Sequence, residues 1–426
     1  MPEILFLAHR LPWPPNKGDK IRSYHWLRFL AERYRVHLGT FVDASEDWRY
    51  VRDLRPLCAS ACIRPLPRWW GRLRALRGLL GGAPLTLPWY RDRRLHAWSR
   101  SVLSERPVAA VLAFSSAMGP YLPEPAPDGA GARPRRVVDL VDVDSEKWRQ
   151  YAQARHWPLS VLHRREARRL LAYERQLIRS ADRALLICAE EQALLQRLAP
   201  ETEDRLEVLG NGVDTDYFDP AQGGARPYAP GVVPLVFVGA MDYWPNIDAV
   251  CWFAESVLPR VREQCPRARL YIVGSRPGPT VNALERMGGV TVTGFVEDIR
   301  PWVGHAALAV APLRVARGVQ NKVLEAMALA RPVVATPEAL EGIRCLPGQE
   351  VLSAGADPEA FAALVVEALA ADLTELGAAA RQRVVADYGW ACKQARLEEI
   401  LGLSGRGEAV EPAPRVASAP RMEAAS

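Results

Sequence analysis

The residues best suited to hold a phosphate group lie between Ala311 and Thr336, where the chain reads APLRVARGVQNKVLEAMALARPVVAT. The pattern predicts a buried strand, a basic loop, a helix that opens at about Asn321, and another buried strand. A helix N-terminus after such a loop offers free backbone N–H groups and the positive end of the helix dipole. Lys322 lies in its first turn, and Glu325 could accept hydrogen bonds from paired hydroxyls of a ribose or hexose. The plainer interpretation is a βαβ unit with a solvated basic loop.

Three earlier strands of the C-terminal half also end beside a glycine. Pro234–Gly239 reads as a buried strand, Leu270–Val273 is followed by Gly274, and Val290–Thr293 is followed by Gly294. Four strands that end near glycine at one edge of a sheet predict a nucleotide-sized site. None of these glycines forms the G-x-G-x-x-G fingerprint of dinucleotide-binding proteins, so nicotinamide chemistry is disfavoured.

The N-terminal half begins with the same order of strand, loop and helix. Ile4–Ala8 reads as a buried strand, Ile21–Arg33 has apolar residues at helical spacing, and Val36–Phe41 supplies the next strand. This order predicts a parallel doubly wound sheet, whose ligands bind at the carboxyl ends of the strands. Gly18 would let a ligand approach the backbone closely, and Asp19 is either a helix N-cap or a hydroxyl acceptor. The residues expected at this strand end are Lys17, Gly18, Asp19 and Arg22.

A second group of polar residues follows the predicted strand Val137–Val141. Asp142, Asp144 and Ser145 lie at the carboxyl end of that strand, so this half directs polar groups toward one edge and one cleft. The two aspartates also form an Asp-x-Asp pattern that can hold a divalent metal, but residues 214–216 match it equally well. Ser145 can simply begin the next helix.

Residues 64–100 differ in composition from the rest of the chain. They contain nine arginines, four tryptophans and a single acid, Asp92. Guanidinium charge beside Trp and Leu suits the interface of an anionic membrane, but a solvated basic helix that packs its tryptophans inward gives the same pattern. No nucleic-acid-binding module accompanies the segment, so we expect no nucleic-acid partner.

Composition limits the class of protein. The chain has 426 residues, a formal net charge of +6 and a pI near 9.0, which indicate two domains and anionic partners. Its seven cysteines are scattered without a paired zinc spacing, so neither a disulfide framework nor a metal knuckle is predicted. The apolar run at the start is too short for a signal peptide, and no run of 18 apolar residues occurs. We therefore expect a cytoplasmic location and no membrane span.

Domain boundaries follow from the repeated strand and helix pattern. We expect a first domain over 1–205, a polar linker rich in Gly and Pro over 206–233, and a second domain over 234–386. The tail 404–426 is rich in Ala, Pro, Ser and Glu, a composition typical of disorder.

Several motifs resemble the family 4 retaining glycosyltransferases of GT-B fold. They are Asn211-Gly212-Val213-Asp214, Gly294-Phe295-Val296, and the run from Gly318 to Ala328 followed by Arg331-Pro332-Val333-Val334-Ala335. HRLPWPPNKGDKIRSYHWL and DLVDVDSEKWRQYA resemble, more narrowly, the sugar transferases associated with PEP-CTERM/exosortase exopolysaccharide systems. The resemblance implies an α/β protein with two facing Rossmann-like doubly wound domains, a cleft between them, and a helix over 387–403 that crosses back onto the first domain. The first domain would bind the acceptor and the second the nucleotide sugar, with no metal and no cofactor.

The chain departs from the family pattern at several positions. Many members carry two glutamates eight positions apart, but here Arg317 replaces the first and Glu325 remains as the implied ribose acceptor. The Arg and Lys that usually follow the first strand of the donor domain are missing, so Lys322 becomes the candidate for holding the diphosphate, supported by Arg314, Arg317 and Arg276. The usual His of the first domain is also absent, which leaves Asp142, Asp144 or His9 to face the sugar. The full set of donor-binding residues implied is Gly239, Asn246, Gly274, Arg276, Gly294, Phe295, Val296, Arg314, Arg317, Gly318, Val319, Gln320, Asn321, Lys322 and Glu325.

The implied activity is transfer of a sugar, with retention, from a nucleoside-diphosphate sugar to a glycan or polyprenyl-linked acceptor in exopolysaccharide biosynthesis. Such an enzyme would work in the cytoplasm on the inner face of the membrane, with 64–100 as the segment that contacts anionic lipid. Two alternatives remain open from the sequence. One is a catalytically inactive GT-B-like assembly protein, and the other is a metal-dependent transferase that uses Asp142 and Asp144.

Overall fold

The computed structural model describes residues 1–14, 18–66, 82–124, 133–154, 159–222, 224–316 and 319–405. Within these ranges the chain forms two compact units. Unit 1 comprises the described residues of 1–15, 19–210 and 394–419, and unit 2 those of 211–393. The expected tail 404–426 lies outside the described residues from 406 onward.

Unit 1 is built on one parallel sheet. Its strands are β1 Glu3–Ala8, β2 Arg35–Val42, β3 Ser60–Pro65, β4 Val108–Phe114, β5 Arg135–Val141, β6 Arg183–Leu186 and β7 Leu206–Val208. Over the described ranges these seven strands pair in the order β3-β2-β1-β4-β5-β6-β7. Strands β1 and β4 read EILFLA and VAAVLAF and are almost wholly buried, as expected for parallel strands covered on both faces.

The α-helices of unit 1 connect and cover these strands. They are α1 Gly18–Ala31, α2 Val51–Leu54, α3 Thr86–Trp89, α4 Arg93–Glu105, α5 Asp144–Ala154, α6 Leu159–Ser180 and α7 Ala189–Leu198. Helix α4 begins where the Asp92 carboxylate accepts hydrogen bonds from the backbone N–H groups of Arg94 and Leu95, which is an ordinary N-cap.

Unit 2 contains a second parallel sheet. Its strands are β8 Val233–Val238, β9 Ala268–Val273, β10 Val290–Gly294, β11 Leu308–Ala311, β12 Val333–Ala335 and β13 Leu352–Ser353. The described strands pair in the order β10-β9-β8-β11-β12-β13. Each sheet reverses its strand order once, between β1 and β4 in unit 1 and between β8 and β11 in unit 2. In doubly wound folds, ligands bind outside the carboxyl ends of the strands at this reversal point.

The helices of unit 2 are α8 Trp244–Trp252, α9 Leu258–Gln264, α10 Pro279–Ala283, α11 Arg300–Gly304, α12 Asn321–Ala328, α13 Pro358–Ala370 and α14 Thr374–Asp387. The last helix, α15 Trp390–Ile400, begins in unit 2 and ends in unit 1. A π-helical turn, Phe253–Val257, joins α8 to α9, so the predicted single helix Ile247–Val261 is one continuous but irregular element. No helix in the described ranges is long and apolar enough to cross a bilayer.

The linker and the last helix differ from the sequence-based prediction. Strand β7 lies inside the expected linker 206–233 and pairs with β6, so the first sheet extends beyond residue 205. The predicted helix 387–401 is interrupted at Gly389, because residues 388–390 pair with Val213. From Gln394 onward α15 belongs to unit 1, where the Arg135 Nε atom donates a 2.5 Å hydrogen bond to the carbonyl of Ile400.

Candidate functional site

The candidate site of unit 2 lies where β8 and β11 end side by side. Strand β8 runs into Gly239 and the start of α8, and the loop after β11 runs into α12. Because β8 and β11 are parallel neighbours, both loops leave the sheet at the same edge. The predicted strand, loop and helix around Asn321 are confirmed, and they meet the loop after β8 at the reversal point of the sheet.

Two glycines bring the ends of β8 and β9 into close backbone contact. The Gly239 N–H donates to the carbonyl of Val273 at 3.1 Å, and the Gly274 N–H donates to that of Gly294 at 3.1 Å. A Cβ atom on Gly274 would lie 1.7 Å from the carbonyl oxygen of Gly239, so no other residue fits there. The glycines that sequence analysis singled out therefore hold three neighbouring strand ends together at one edge.

Lys322 is held by a buried amide across this edge. Its Nζ atom donates a hydrogen bond to Oδ1 of Asn246 and lies 4.7 Å from the ring centroid of Phe237. Asn246 is fully buried, and its Nδ2 atom donates to the carbonyl of Ala240 at 2.9 Å, which fixes the orientation of the amide. A Cβ on Gly239 would meet Asn246 Nδ2 at 2.6 Å and Lys322 Nζ at 3.3 Å. Gly239 therefore leaves room for the ammonium group.

Lys322 and Glu325 both titrate near neutral pH. Burial lowers the pKa of Lys322 to about 7, although the charge of Glu325 opposes this effect. Burial likewise raises the pKa of Glu325 to about 7, opposed by Lys322. Each residue keeps some contact with solvent. An anion bound beside Lys322 would replace its lost hydration and favour the charged ammonium.

The N-terminus of α12 lies at this same edge. Gln320 is its N-cap, and the Gln320 side chain forms no capping hydrogen bond there. Val323 N–H already bonds to the Gln320 carbonyl at 3.0 Å, whereas Asn321 is exposed at the first position. Val319 packs against the core, and the predicted site residues Arg317 and Gly318 lie outside the described residues.

Two arginines predicted to support Lys322 are paired with aspartates. Arg314 makes a two-pronged ion pair with Asp248, with Nε 3.0 Å from Oδ2. Arg276 Nη1 lies 2.8 Å from Oδ2 of Asp242, in a loop where its φ angle is 54°. Sequence analysis missed both aspartates, because each follows β8 and approaches its arginine only in the folded sheet. Of the other predicted donor-binding residues, Phe295 is exposed and Val296 packs against the core.

A second polar cluster lies at the carboxyl ends of β1 and β2 in unit 1. The Nε2 atom of His9 is 3.4 Å from Oδ2 of Asp19, and Arg10 Nη1 donates to the same oxygen at 2.9 Å. The His9 ring stacks on Phe114 at 5.8 Å between centroids. Burial opposes ionisation of Asp19, but His9 and Arg10 outweigh it and hold the pKa of this carboxyl well below its usual range. Asp19 is therefore a permanent anion at physiological pH.

Sequence analysis missed three members of this cluster. Arg10 Nε lies 3.2 Å from Asp43 Oδ2, and Tyr90 packs edge-on against His9 at 6.0 Å between centroids. The buried atoms His9 Nδ1, Arg10 Nε and Asp43 Oδ1 have no hydrogen-bond partner among the described residues. Buried polar atoms are normally satisfied, so this hydrogen-bonding capacity suits a polar ligand or water. The adjacency of Arg10 to His9 at a strand end was the signal available in the sequence.

Arg22 and Ser145 do not belong to an accessible loop, which corrects the prediction. Arg22 is fully buried, and its Nε atom donates to Asp139 Oδ2 at 2.8 Å. Ser145 is also buried and donates to Glu174 from its backbone N–H at 3.1 Å and from Oγ at 2.5 Å. Burial raises the pKa of Glu174 to about 8 despite these hydrogen bonds. Both residues stabilise the interior of unit 1.

The loop after β1 is described only in part. Lys17 lies outside the described residues, and helix α1 already begins at Gly18. Asp19 is therefore inside the first turn and is not the N-cap, although its Oδ1 accepts from Lys20 N–H at 3.0 Å. Its other oxygen, Oδ2, faces His9 and Arg10 at the edge where a hydroxyl acceptor is predicted.

Asp142 and Asp144 share a lysine. Lys147 Nζ lies 2.7 Å from Asp142 Oδ2 and 3.3 Å from Asp144 Oδ1. Burial alone would lower the pKa of the Lys147 ammonium. The two carboxylates outweigh this effect and raise the pKa to about 12. Over the described ranges there is no group of three or more His, Cys, Asp or Glu placed to hold a metal ion. Lys147 therefore balances part of the negative charge of these two aspartates.

Most of the Arg- and Trp-rich heart of 64–100 falls in 67–81, outside the described residues. In the described remainder, Trp89 and Trp98 are half-buried against the core of unit 1. Arg64 Nε lies 3.3 Å from Asp92 Oδ1. These residues follow the plainer interpretation, in which the tryptophans pack inward.

Comparisons with known proteins place a family domain on unit 2. Residues 233–371, which contain Asn246, Lys322 and Glu325, match the family described as Glycosyl transferases group 1. D-inositol 3-phosphate glycosyltransferase 2 from Catenulispora acidiphila is 27% identical over 256 residues, covering 55% of this chain and 59% of the relative. The chain thus spans less than two thirds of the length of that relative.

Solved structures share the architecture of both units. Sucrose-phosphate synthase from Thermosynechococcus elongatus has a TM-score of 0.60 at 18% identity, covering 94% of this chain and 98% of that one. HepE from Anabaena, in complex with UDP and glucose, has a TM-score of 0.58 at 16% identity, covering 94% and 100%. At such identities the likeness shows the fold. The predicted GT-B class, with a Rossmann-like parallel sheet in each half, is confirmed.

Proposed function

We propose that this chain is a retaining glycosyltransferase that moves a sugar from a nucleoside-diphosphate sugar to a glycan or lipid-linked acceptor. One observation carries the proposal: the Lys322 ammonium is held by Asn246 at the carboxyl edge of the second sheet, one helical turn from Glu325. This arrangement lies inside the domain that matches the glycosyl transferases group 1 family. A cation, a helix N-terminus and a carboxylate in one place suit the diphosphate and ribose of a sugar nucleotide.

The donor class is supported by a structural relative. HepE was solved with UDP and glucose, and the curated relative is named as a glycosyltransferase. In this chain Lys322 and the first N–H groups of α12 would face the diphosphate, and Glu325 would accept from the ribose hydroxyls. Gly239 and Gly274 would let the donor approach the strand ends closely.

Bond cleavage would depend on charge stabilisation at the leaving group. When the bond between C1 of the sugar and the diphosphate breaks, negative charge grows on the phosphate oxygens, and a fixed ammonium beside them lowers the barrier. With retention by front-face attack, the departing phosphate takes the proton of the acceptor hydroxyl, so no protein nucleophile is required. The reaction as proposed uses no metal and no cofactor.

The acceptor side of the proposal rests on unit 1. His9, held by Asp19, and the unsatisfied polar atoms of Arg10 and Asp43 suit the hydroxyl groups of a glycan or the head of a polyprenyl-linked sugar. A role in exopolysaccharide biosynthesis and a cytoplasmic location follow from the sequence resemblance and composition. They are part of the same proposal.

Release of nucleoside diphosphate from a panel of sugar nucleotides, in the presence of lipid extract, tests this function. We expect release with at least one donor, an α-configured product from an α-configured donor by NMR, and activity that survives a chelator. In Glu325→Gln protein we expect the KM for that donor to rise, because an amide accepts fewer hydrogen bonds than a carboxylate. Inversion at C1, loss of activity in chelator, or no release with any donor would each contradict the proposal.

Donor binding should weaken as the pH rises above about 7. In the free protein Lys322 has a pKa near 7, so the ammonium is present below that pH and is lost above it. A bound diphosphate favours the charged form, and the apparent affinity should then fall by up to about tenfold per pH unit. Isothermal titration of UDP from about pH 6 to about pH 9, a range that extends to both sides of that pKa, measures how the affinity changes with pH.

Two variants separate the titrating groups. Lys322→Arg keeps a permanent charge and should flatten the slope, whatever its absolute affinity. Glu325→Gln removes the neighbouring group that titrates. The decrease of UDP affinity with pH that Lys322 causes should remain. An unchanged slope in Lys322→Arg protein would assign the pH dependence to another group.

A further inference from the structure

The exposed face of helix α6 in unit 1 carries positive charge without any exposed acid of its own. Six of the 22 residues of α6 are arginines and two are glutamates. Both glutamates are buried: Glu166 binds the backbone N–H groups of Leu85 and Thr86, and Glu174 binds Ser145. The acids of this helix therefore serve the interior, while five of its six arginines are exposed and the sixth, Arg165, is half-buried beside Glu166.

The arginines form a continuous stripe. Arg164, Arg168 and Arg169 are exposed over one part of the helix, and Arg175 and Arg179 continue the same face at helical spacing. Arg175 is neutralised by Glu201 at 2.5 Å. For Arg164, Arg168 and Arg169 the structure shows no acidic partner within the ranges it describes. The part of the stripe near the start of α6 therefore keeps its charge.

Apolar and aromatic side chains are exposed at that same end. Leu159 and Val161 are 49% and 54% exposed at the start of α6, and Tyr151 is 55% exposed near the end of α5. Trp148 lies 6.0 Å from Tyr151 and 5.2 Å from His163 between ring centroids, so aromatic rings join the two helices here. Exposed aliphatic side chains gain nothing from a purely ionic partner such as nucleic acid. They gain free energy when they enter the headgroup region of a bilayer.

We propose that this surface, formed by Tyr151, Leu159, Val161, Arg164, Arg168 and Arg169, docks onto an anionic lipid bilayer. The guanidinium groups would bind lipid phosphates, and the apolar residues would enter the interface beside them. This proposal goes beyond the proposed transfer reaction and does not depend on it. It also differs from the sequence-based expectation, which assigned membrane contact to 64–100. We infer an anionic bilayer as the partner because the arginines are not neutralised and apolar residues lie next to them.

Vesicle flotation of the full chain tests the proposal. We expect binding to vesicles of phosphatidylcholine mixed with phosphatidylglycerol, none to phosphatidylcholine alone, and a loss of binding at high salt because the charges are screened. Each arginine near an anionic surface contributes about fivefold in partitioning, so Arg164→Gln, Arg168→Gln and Arg169→Gln together should lower it roughly 100-fold. The double variant with Leu159→Ser and Val161→Ser should also bind anionic vesicles more weakly. Its remaining binding should still decrease at high salt.

A matched control removes three exposed arginines of unit 2. Arg260→Gln, Arg267→Gln and Arg286→Gln change the net charge equally and should bind vesicles as the unaltered chain does. Circular dichroism confirms that each variant is folded, and the Leu159/Val161 variant serves if the arginine variant is not. The proposal is overturned if the unaltered chain does not bind anionic vesicles, or if both triple variants lose binding equally. It is also overturned if the α6 triple variant still binds, because binding would then belong to another segment. Loss of oligonucleotide binding without loss of vesicle binding would identify a nucleic-acid surface and overturn it as well.

Discussion

Replacing Lys322 with alanine should lower the rate of sugar transfer by about 10²- to 10³-fold while the protein stays folded. The ammonium is held beside Asn246 at the edge where the diphosphate would bind, and the structure pairs the two nearby arginines, Arg276 and Arg314, with aspartates. Lys322 is therefore the cation best placed to stabilise charge that develops on the leaving group. Its loss should reduce kcat more than it raises KM, because the charge on the phosphate grows in the transition state.

Packing has to be separated from charge in this experiment. The side chain of Lys322 also lines a small apolar cavity with Val236, Val238 and Val310, so alanine enlarges a void as well as removing the ammonium. Lys322→Met fills most of that space without the charge and should be as inactive as Lys322→Ala. Arg276→Ala, which removes an exposed cation paired with Asp242, should cost much less. Turnover of Lys322→Met protein at the rate of the unaltered chain would refute the proposed role of the ammonium.

Much of the sheet architecture could be predicted because parallel strands are continuous apolar runs. Strands β1, β2, β5 and β8 were predicted to within a residue or two, since helices bury both of their faces. Strands β3, β7 and β13 were not predicted, because their sequences lack such a run. Strand β3 is only half-buried, and β7 and β13 have three and two residues. The carboxyl edge of each sheet was also predictable. Because the strands are parallel, the residues that follow each strand lie at one side of the sheet.

The partners within the site could not be predicted from spacing. Asn246 and Lys322 were both expected to bind the donor, but their hydrogen bond joins residues 76 positions apart. The same holds for the pairing of Arg314 with Asp248, which converts an expected phosphate ligand into part of an ion pair. Sequence periodicity reports which face of an element is buried. It does not report which polar side chains meet when two loops leave the same sheet edge.

Arg22 illustrates the most informative error. Arg22 was expected at the ligand-facing edge because it lies close to Gly18 and Asp19, yet the helix begins at Gly18 and turns Arg22 into the core. The available signal was Asp139, a lone acid inside the apolar strand sequence RRVVDLV. A carboxylate buried in a central strand needs a cation nearby, and Arg22 supplies it.

Arg22→Ala should destabilise unit 1 by about 3–5 kcal/mol, because it leaves the Asp139 carboxylate buried without its cation. Both residues are fully buried, Arg22 Nη2 donates to Asp139 Oδ1 at 3.2 Å, and Trp26 Nε1 donates to Oδ2 at 3.1 Å. Trp26 would remain as a neutral donor, which is too weak to replace a guanidinium charge. Chemical denaturation followed by circular dichroism measures the change in the free energy of unfolding.

Two controls identify the source of the loss. Arg28→Ala removes an arginine from the same helix, where Arg28 Nε is 3.0 Å from Glu32 at the surface, and should change stability by less than about 0.5 kcal/mol. Arg22→Met restores most of the volume without the charge. If an uncompensated carboxylate causes the loss, Arg22→Met should remain about as unstable as Arg22→Ala. Recovery of full stability by methionine at neutral pH would mean that Arg22 acts through packing alone, and that the buried carboxylate is satisfied without it.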